Sequence, residues 1–103
     1  SNFIVLGDWN DDLKDNYGEH CFNPFLEDNR FTFVTEEICK DILQATYPKE
    51  PYISFLDHIL ITTSLLKKIS NYDVRTINMG DYMDGFENYE RLISDHFPVF
   101  LSF

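Results

Sequence analysis

The chain has 103 residues, room for one small domain. Apolar residues make up 44% and aromatic residues 17%, which excludes a disordered chain. There are 18 acidic against 8 basic residues, a formal net charge of −10, and the basic residues are scattered, so no basic stripe is present to neutralise a nucleic-acid backbone.

In chain order, Phe3-Ile4-Val5-Leu6 predicts a central strand over residues 3–7, stopped by Gly7. Asp8 to Gly18 is polar and acidic and predicts a loop at the strand's carboxyl end, where α/β proteins place their sites. Its Asp11, Asp12 and Asp15 read as a solvated surface, as does His20 beyond it. Asn23-Pro24 predicts a short helix starting at Pro24, and Phe31 to Val34 a short strand. Over Thr35 to Tyr47, Ile38, Ile42 and Leu43 recur at helical spacing, with Thr35 as a candidate cap. Pro48 and Pro51 end that segment, and residues 52–61 predict a second buried strand. Thr63 or Ser64 then caps a short helix through Ile69, with Lys67 and Lys68 in its last turn. Tyr72 to Ile77 alternates as a strand, and Asn78 to Arg91 reads as a long loop with Gly80 and Gly85. Ser94 to Phe103 closes with a strand. No apolar run approaches the ~20 residues of a transmembrane helix. Cys21 and Cys39 have no metal-type spacing and read as buried free thiols, from which no cellular compartment follows.

The strongest signal lies where the apolar runs end. Gly7-Asp8-Trp9-Asn10, Leu56-Asp57-His58-Ile59-Leu60 and Ser94-Asp95-His96-Phe97-Pro98-Val99 each place a carboxylate on a strand. A buried carboxylate costs several kcal/mol unless it is paired or metal-bound, so three of them point to a polar site on an apolar scaffold. Asp57 in its apolar strand needs a partner, and His96 is the candidate. Such a pair would raise the histidine pKa and let a protonated ring donate to a phosphate. Asp95 suits a Mg²⁺-type ion, which takes oxygen ligands and few carboxylates. Asp8 and Asn10, two apart on an extended segment, share one side: Asp8 could take a proton from water, and the Asn10 amide could donate to a phosphoryl oxygen. The plainer alternative for Asp8 and Asn10 is an Asx turn after a strand. His58 faces away from Asp57 and reads as a structural histidine.

These three motifs, in this order, resemble those of the endonuclease/exonuclease/phosphatase (DNase I-like) family of metal-dependent phosphoesterases. The family carries G-D-[FW]-N, then [IL]-D-[HY]-[IV]-L, then a C-terminal S-D-H-x-P-V, and the resemblance spans Phe3 to Phe103. It implies an α/β fold: one half, a single mixed sheet with flanking helices, of a four-layer DNase I-like sandwich, with residues 1–103 as the C-terminal half of the domain. It implies a Mg- or Mn-dependent phosphoric ester hydrolase, acting on a nucleic acid or a small phosphorylated molecule by in-line attack of water. Asp8 and Asn10 match the water-activating and phosphate-binding positions, Asp57 and His96 the catalytic pair with His96 also at the phosphate, and Asp95 a metal ligand. Whether Asp8 or His96 is the base stays open.

The family's first half supplies a metal-binding Glu and an Asn that have no counterpart here, and the chain opens in a strand with only Ser1-Asn2 ahead of it. The expectation is therefore a piece of a longer protein, inactive alone, whose missing half could carry the basic surface. The alternative is a non-catalytic half-domain serving assembly or binding. Without a partner sheet, strands 3–6, 53–61 and 98–103 would present a contiguous apolar face, covered most simply by a homodimer or else by the 78–91 loop.

Overall fold

A computed structural model describes residues 2–16 and 18–103; Ser1 and Tyr17, the latter in the predicted acidic loop, lie outside them. The chain is a compact α/β domain whose two small sheets are both antiparallel. The first sheet has the order β1 (Ile4–Asp8), β3 (Asp57–Thr62), β2 (Phe31–Phe33). The second pairs β4 (Asp73–Thr76) with β5 (Val99–Ser102). The described residues also form three short α-helices: α1 (Asn23–Leu26), α2 (Thr63–Leu66) and α3 (Phe86–Leu92).

This corrects the expected single mixed sheet. The five strands lie close to where apolar runs predicted them, but β5 pairs with β4 instead of joining the first sheet. A short β-branched run can pair with any neighbour offering backbone groups, so strand partnership is not written in the run itself. The central strand is β3 and not β1. His58 to Thr62 are all buried, because both faces of β3 are covered.

On one face Leu60 packs with Leu13, Phe22 and Phe33, joined by Trp9 and Phe25. On the other, Ile59 and Ile61 pack with Val34 and Val74, and with Val99 and Leu101 of the second sheet. The apolar face expected to lie open is thus largely closed by β4–β5 within the same chain. What stays open is β1, whose Val5 and Leu6 are 44% and 62% exposed. Phe3 and Trp9 bond to Thr62 and Leu56 across the sheet, so by alternation Ile4, Leu6 and Asp8 turn their backbone groups outward.

Several local expectations change for identifiable reasons. Residues 34–40 and 42–44, where helical spacing left the element open, form two 3₁₀ helices. Thr35 does not cap: it is fully buried and its hydroxyl is used by β3. α2 stops at Leu66, begins without a side-chain cap, and leaves Lys67 at its C-cap and Lys68 beyond it. Residues 52–56 and 94–98 are irregular approaches to strands, tied by a Tyr47–Ser54 bridge in the first case. The predicted 78–91 loop holds a 3₁₀ turn (Met79–Tyr82) and α3. Its glycines suggested a loop but serve as junctions. Gly85 has φ +105° at the start of α3, and a Cβ on Gly80 would meet the Phe86 nitrogen at 3.0 Å.

Cys39 is partly buried with its thiol donating to the Thr35 carbonyl, whereas Cys21 is exposed, against the expectation of two buried thiols. Burial pushes the Cys39 thiol up to about 12, with Asp12 and Glu36 adding to it. The thiolate is the nucleophile, so an alkylating reagent at pH 8 should modify Cys21 first and Cys39 only once the fold is opened by denaturant. Peptide mass spectrometry at timed intervals checks this, and equal native rates would contradict the burial of Cys39.

Candidate functional site

Antiparallel pairing places Asp8 directly opposite Asp57, at the end of the β1–β3 ladder. By the same alternation this is a non-hydrogen-bonded position, where side chains approach closest. Like charges opposite one another destabilise a sheet unless something lies between them. The third residue is His96, delivered from the irregular segment before β5. Its Nδ1–H donates to Asp57 Oδ2 at 2.7 Å. One ligand-capable atom each from Asp8, Asp57 and His96 lies within 4.8 Å of the others. Three motifs far apart in sequence thus converge.

The trio is graded from inside to outside: the Asp57 side chain is 14% exposed and that of His96 24%, while Asp8 lies at the open surface. Burial pulls the His96 pKa down, but the hydrogen bond and charge of Asp57, with Asp8 and Asp95, raise it overall above the ordinary imidazole value. With Nδ1 engaged, Nε2 is the nitrogen left to act, and it lies 3.9 Å from Asp95 Oδ1. Asp95 stands outside the convergent trio, its side chain 52% exposed. The His96 backbone is held from both sides: its N–H donates to Ser94 Oγ and its carbonyl accepts from the Tyr89 hydroxyl at 2.6 Å. The Tyr47 ring meets the imidazole edge-on at 5.5 Å.

Asp8 and Asn10 do not share one extended segment. The strand ends at Asp8, Asn10 turns into the left-handed region at φ +51°, and its N–H donates to Asp8 Oδ1 at 2.7 Å. The Asx turn is therefore present, and it fixes the Asp8 carboxylate. The Asn10 side chain is exposed and makes no hydrogen bond among the described residues.

His58 is structural, as its place one residue along the strand suggested. It is fully buried against Phe22 and Phe33 on the far face of β3. Its Nε2–H donates to the Asp11 carbonyl, so its Nδ1 accepts from the Thr35 hydroxyl, which in turn accepts from the Ile59 N–H. Burial lowers its pKa, against smaller opposing contributions from neighbouring backbone and Asp12.

The acidic loop is less solvated than expected. Asp12 is 6% exposed, with Oδ2 accepting from the Phe55 N–H and Oδ1 from the Lys14 N–H. Asp11 accepts from Cys21, and His20 is half-buried with Nδ1 accepting from Phe22. Sequence reasoning placed Asp12 in a solvated loop, which its burial corrects, and passed over Thr46. Thr46 is fully buried, and its Oγ1 accepts from the Leu56 and Asp57 N–H groups. No periodicity marks either residue; a buried polar side chain shows its purpose only once its backbone partners arrive from elsewhere in the chain.

The two histidines should move stability in opposite directions with pH. His58, with its pKa lowered by folding, contributes stability that is present above the unfolded value of ~6.5 and lost as pH falls towards its folded pKa. His96, raised by folding, contributes stability that is present below ~6.5 and lost as pH rises through its folded pKa. NMR titration of the two rings checks the directions, and Asp57→Asn should bring the His96 pKa down. An unmoved His96 would show that Asp57 does not hold the ring.

No family model, no curated protein and no solved structure matches the chain. No helix among the described residues is long and apolar enough to cross a membrane.

Proposed function

We propose that this chain carries part of the site of a divalent-metal-dependent phosphoesterase of the endonuclease/exonuclease/phosphatase type. One observation carries the reading: Asp57 and His96 pair at 2.7 Å with Asp8 beside them, bringing together residues from all three motifs. A His–Asp pair abutting a second carboxylate at an open surface is suited to proton transfer and anion binding.

The donor chemistry sorts the roles. Mg²⁺ and Mn²⁺ prefer oxygen ligands, which the carboxylate of Asp95 supplies. Asp57 has one oxygen committed to His96, and Mg²⁺-type ions favour oxygen over imidazole nitrogen, so His96 is assigned to the substrate and not to the ion. When bound, the ion supplies charge neutralisation at the phosphoryl oxygens. His96, held by Asp57, donates from Nε2 to a phosphoryl oxygen. Asp8, oriented by the Asn10 N–H, accepts the proton of the attacking water, and the free Asn10 amide donates to the phosphate. A net charge of −10 without a basic stripe favours a small phosphate ester over a long polyanion for this part of the site.

A second reading, a non-catalytic half-domain used for assembly, is favoured by one feature: the outward backbone groups of β1 beside exposed Val5 and Leu6. A homodimer or the remaining half of the domain would use that edge.

Titration with Mn²⁺ monitored by NMR tests the metal claim on the 103-residue chain. The expected result is broadening centred on Asp8, Asp95 and His96, suppressed by Asp95→Asn. Uniform broadening, or none at millimolar metal, would overturn it. Hydrolysis of a generic diester by the chain alone should be slight even with Mg²⁺, because the resemblance assigns a further metal ligand to the other half. Full turnover that disappears with EDTA and with Asp8→Asn would show this half to be self-sufficient.

A further inference from the structure

The Asp57–His96 pair joins two segments that share no strand: Asp57 opens β3, and His96 precedes β5 of the other sheet. Something must fix their separation, because a charge-assisted hydrogen bond of 2.7 Å tolerates little drift. Thr46 is the residue bonded to both segments. Its Oγ1 accepts from the Asp57 N–H at 3.2 Å and the Leu56 N–H at 2.9 Å, while its carbonyl accepts from the Phe97 N–H at 2.7 Å. It is fully buried, so water cannot substitute for any of these bonds. The next residue, Tyr47, continues the clasp, with its backbone bridged to Ser54 and its ring against His96.

We propose that Thr46 is the positioning residue of the Asp57–His96 pair, clamping the two segments that carry it at one buried point without itself touching substrate. The inference rests on the reading that this pair is the working part of the site, and its test needs no turnover. The hydroxyl acts as an acceptor for two N–H groups, so valine, which keeps the branched shape, removes the clamp, and serine, which keeps the oxygen, retains it.

The experiment is NMR of the protein with the His96 Nδ1–H resonance as readout, a signal that exists only while the ring donates to a carboxylate and is shielded from exchange. Thr46→Val should speed exchange of that proton by about tenfold or more, and Thr46→Ser should restore it. Thr35→Val is the control. Thr35 is equally buried and bonds Ile59 and His58 on the same strand, but not the pair, so its loss should leave the His96 signal in place. An unchanged signal in Thr46→Val, failure of serine to restore it, or equal loss in Thr35→Val would overturn the proposal. Should Thr46→Val not fold, the unsubstituted protein decides. The Leu56 and Asp57 amides and the His96 Nδ1–H should then open together, with protection within about threefold, and a spread beyond about tenfold would overturn the clamp. Absence of any Nδ1–H signal in the unsubstituted protein would instead defeat the pair itself, and with it the functional reading.

Discussion

Replacing His58 by alanine is expected to cost the fold about 3–5 kcal/mol, while replacing His96 should cost only about 1 kcal/mol. The two residues differ in surroundings and not in type. His58 is fully buried, uses both ring nitrogens, and fills space between Phe22 and Phe33. Its removal leaves a cavity, an orphaned Asp11 carbonyl and a Thr35 hydroxyl without its ring acceptor. His96 is partly exposed, so its loss opens less of a void but leaves Asp57 and Asp8 facing each other unscreened. On the proposed phosphoesterase function, His96→Ala in a protein carrying the complete site should reduce turnover by about 100-fold or more, the usual scale for a lost acid–base group. His58→Ala should leave turnover per folded molecule close to normal. Urea melts of both variants, with turnover normalised to the folded fraction, check this. The reverse pattern would mean that the two histidines have exchanged roles.

The second large effect is expected at Asp12. Its two carboxylate oxygens take the N–H groups of Phe55 and Lys14, and the first of these lies in the interior. Asp12→Ala leaves a buried amide without an acceptor and should lower stability by about 2–3 kcal/mol. Asp12→Asn keeps one carbonyl oxygen but turns an NH₂ towards the other N–H, so it should fall between alanine and the unsubstituted chain. The effect should reach the site, because Asp12 ties the loop leaving Asp8 to the segment entering Asp57. Denaturant midpoints measure the first part, and the Asn10 amide shift, which reports the Asp8 turn, measures the second. A loss below about 0.5 kcal/mol for alanine would return Asp12 to the solvated surface that composition suggested.

Much of the site was legible in the residues because burial makes carboxylates conspicuous. Asp57 in a run of apolar neighbours demanded a partner, and few side chains can supply one, so His96 could be named before any fold was known. The strands were legible for a related reason: Ile4 to Leu6, Ile59 to Ile61 and Val99 to Leu101 are short apolar runs of the kind that pair into sheets, although only Ile59 to Ile61 turned out to be covered on both faces. His58 followed from alternation alone, since a strand that turns Asp57 to one face turns its neighbour to the other.

The remainder belongs to tertiary structure. Which strands pair, and that β5 leaves the first sheet for β4, depends on backbone groups that every residue shares, so no side-chain pattern announces it. The helix at Phe86–Leu92 was hidden because its N-terminus uses Gly85 in a left-handed conformation and no side-chain cap, while Gly80 permits a close approach that only the folded loop requires. Asp12 and Thr46 looked like ordinary polar residues until the N–H groups of Phe55, Leu56 and Asp57 came to rest against them. Sequence by itself determined that Asp57 in its apolar run needed a partner and that Ile59 to Ile61 would leave water, because transfer free energy belongs to the side chain. Only the fold decided which backbone amides the polar side chains serve, because a backbone hydrogen bond carries no residue identity until two distant segments meet.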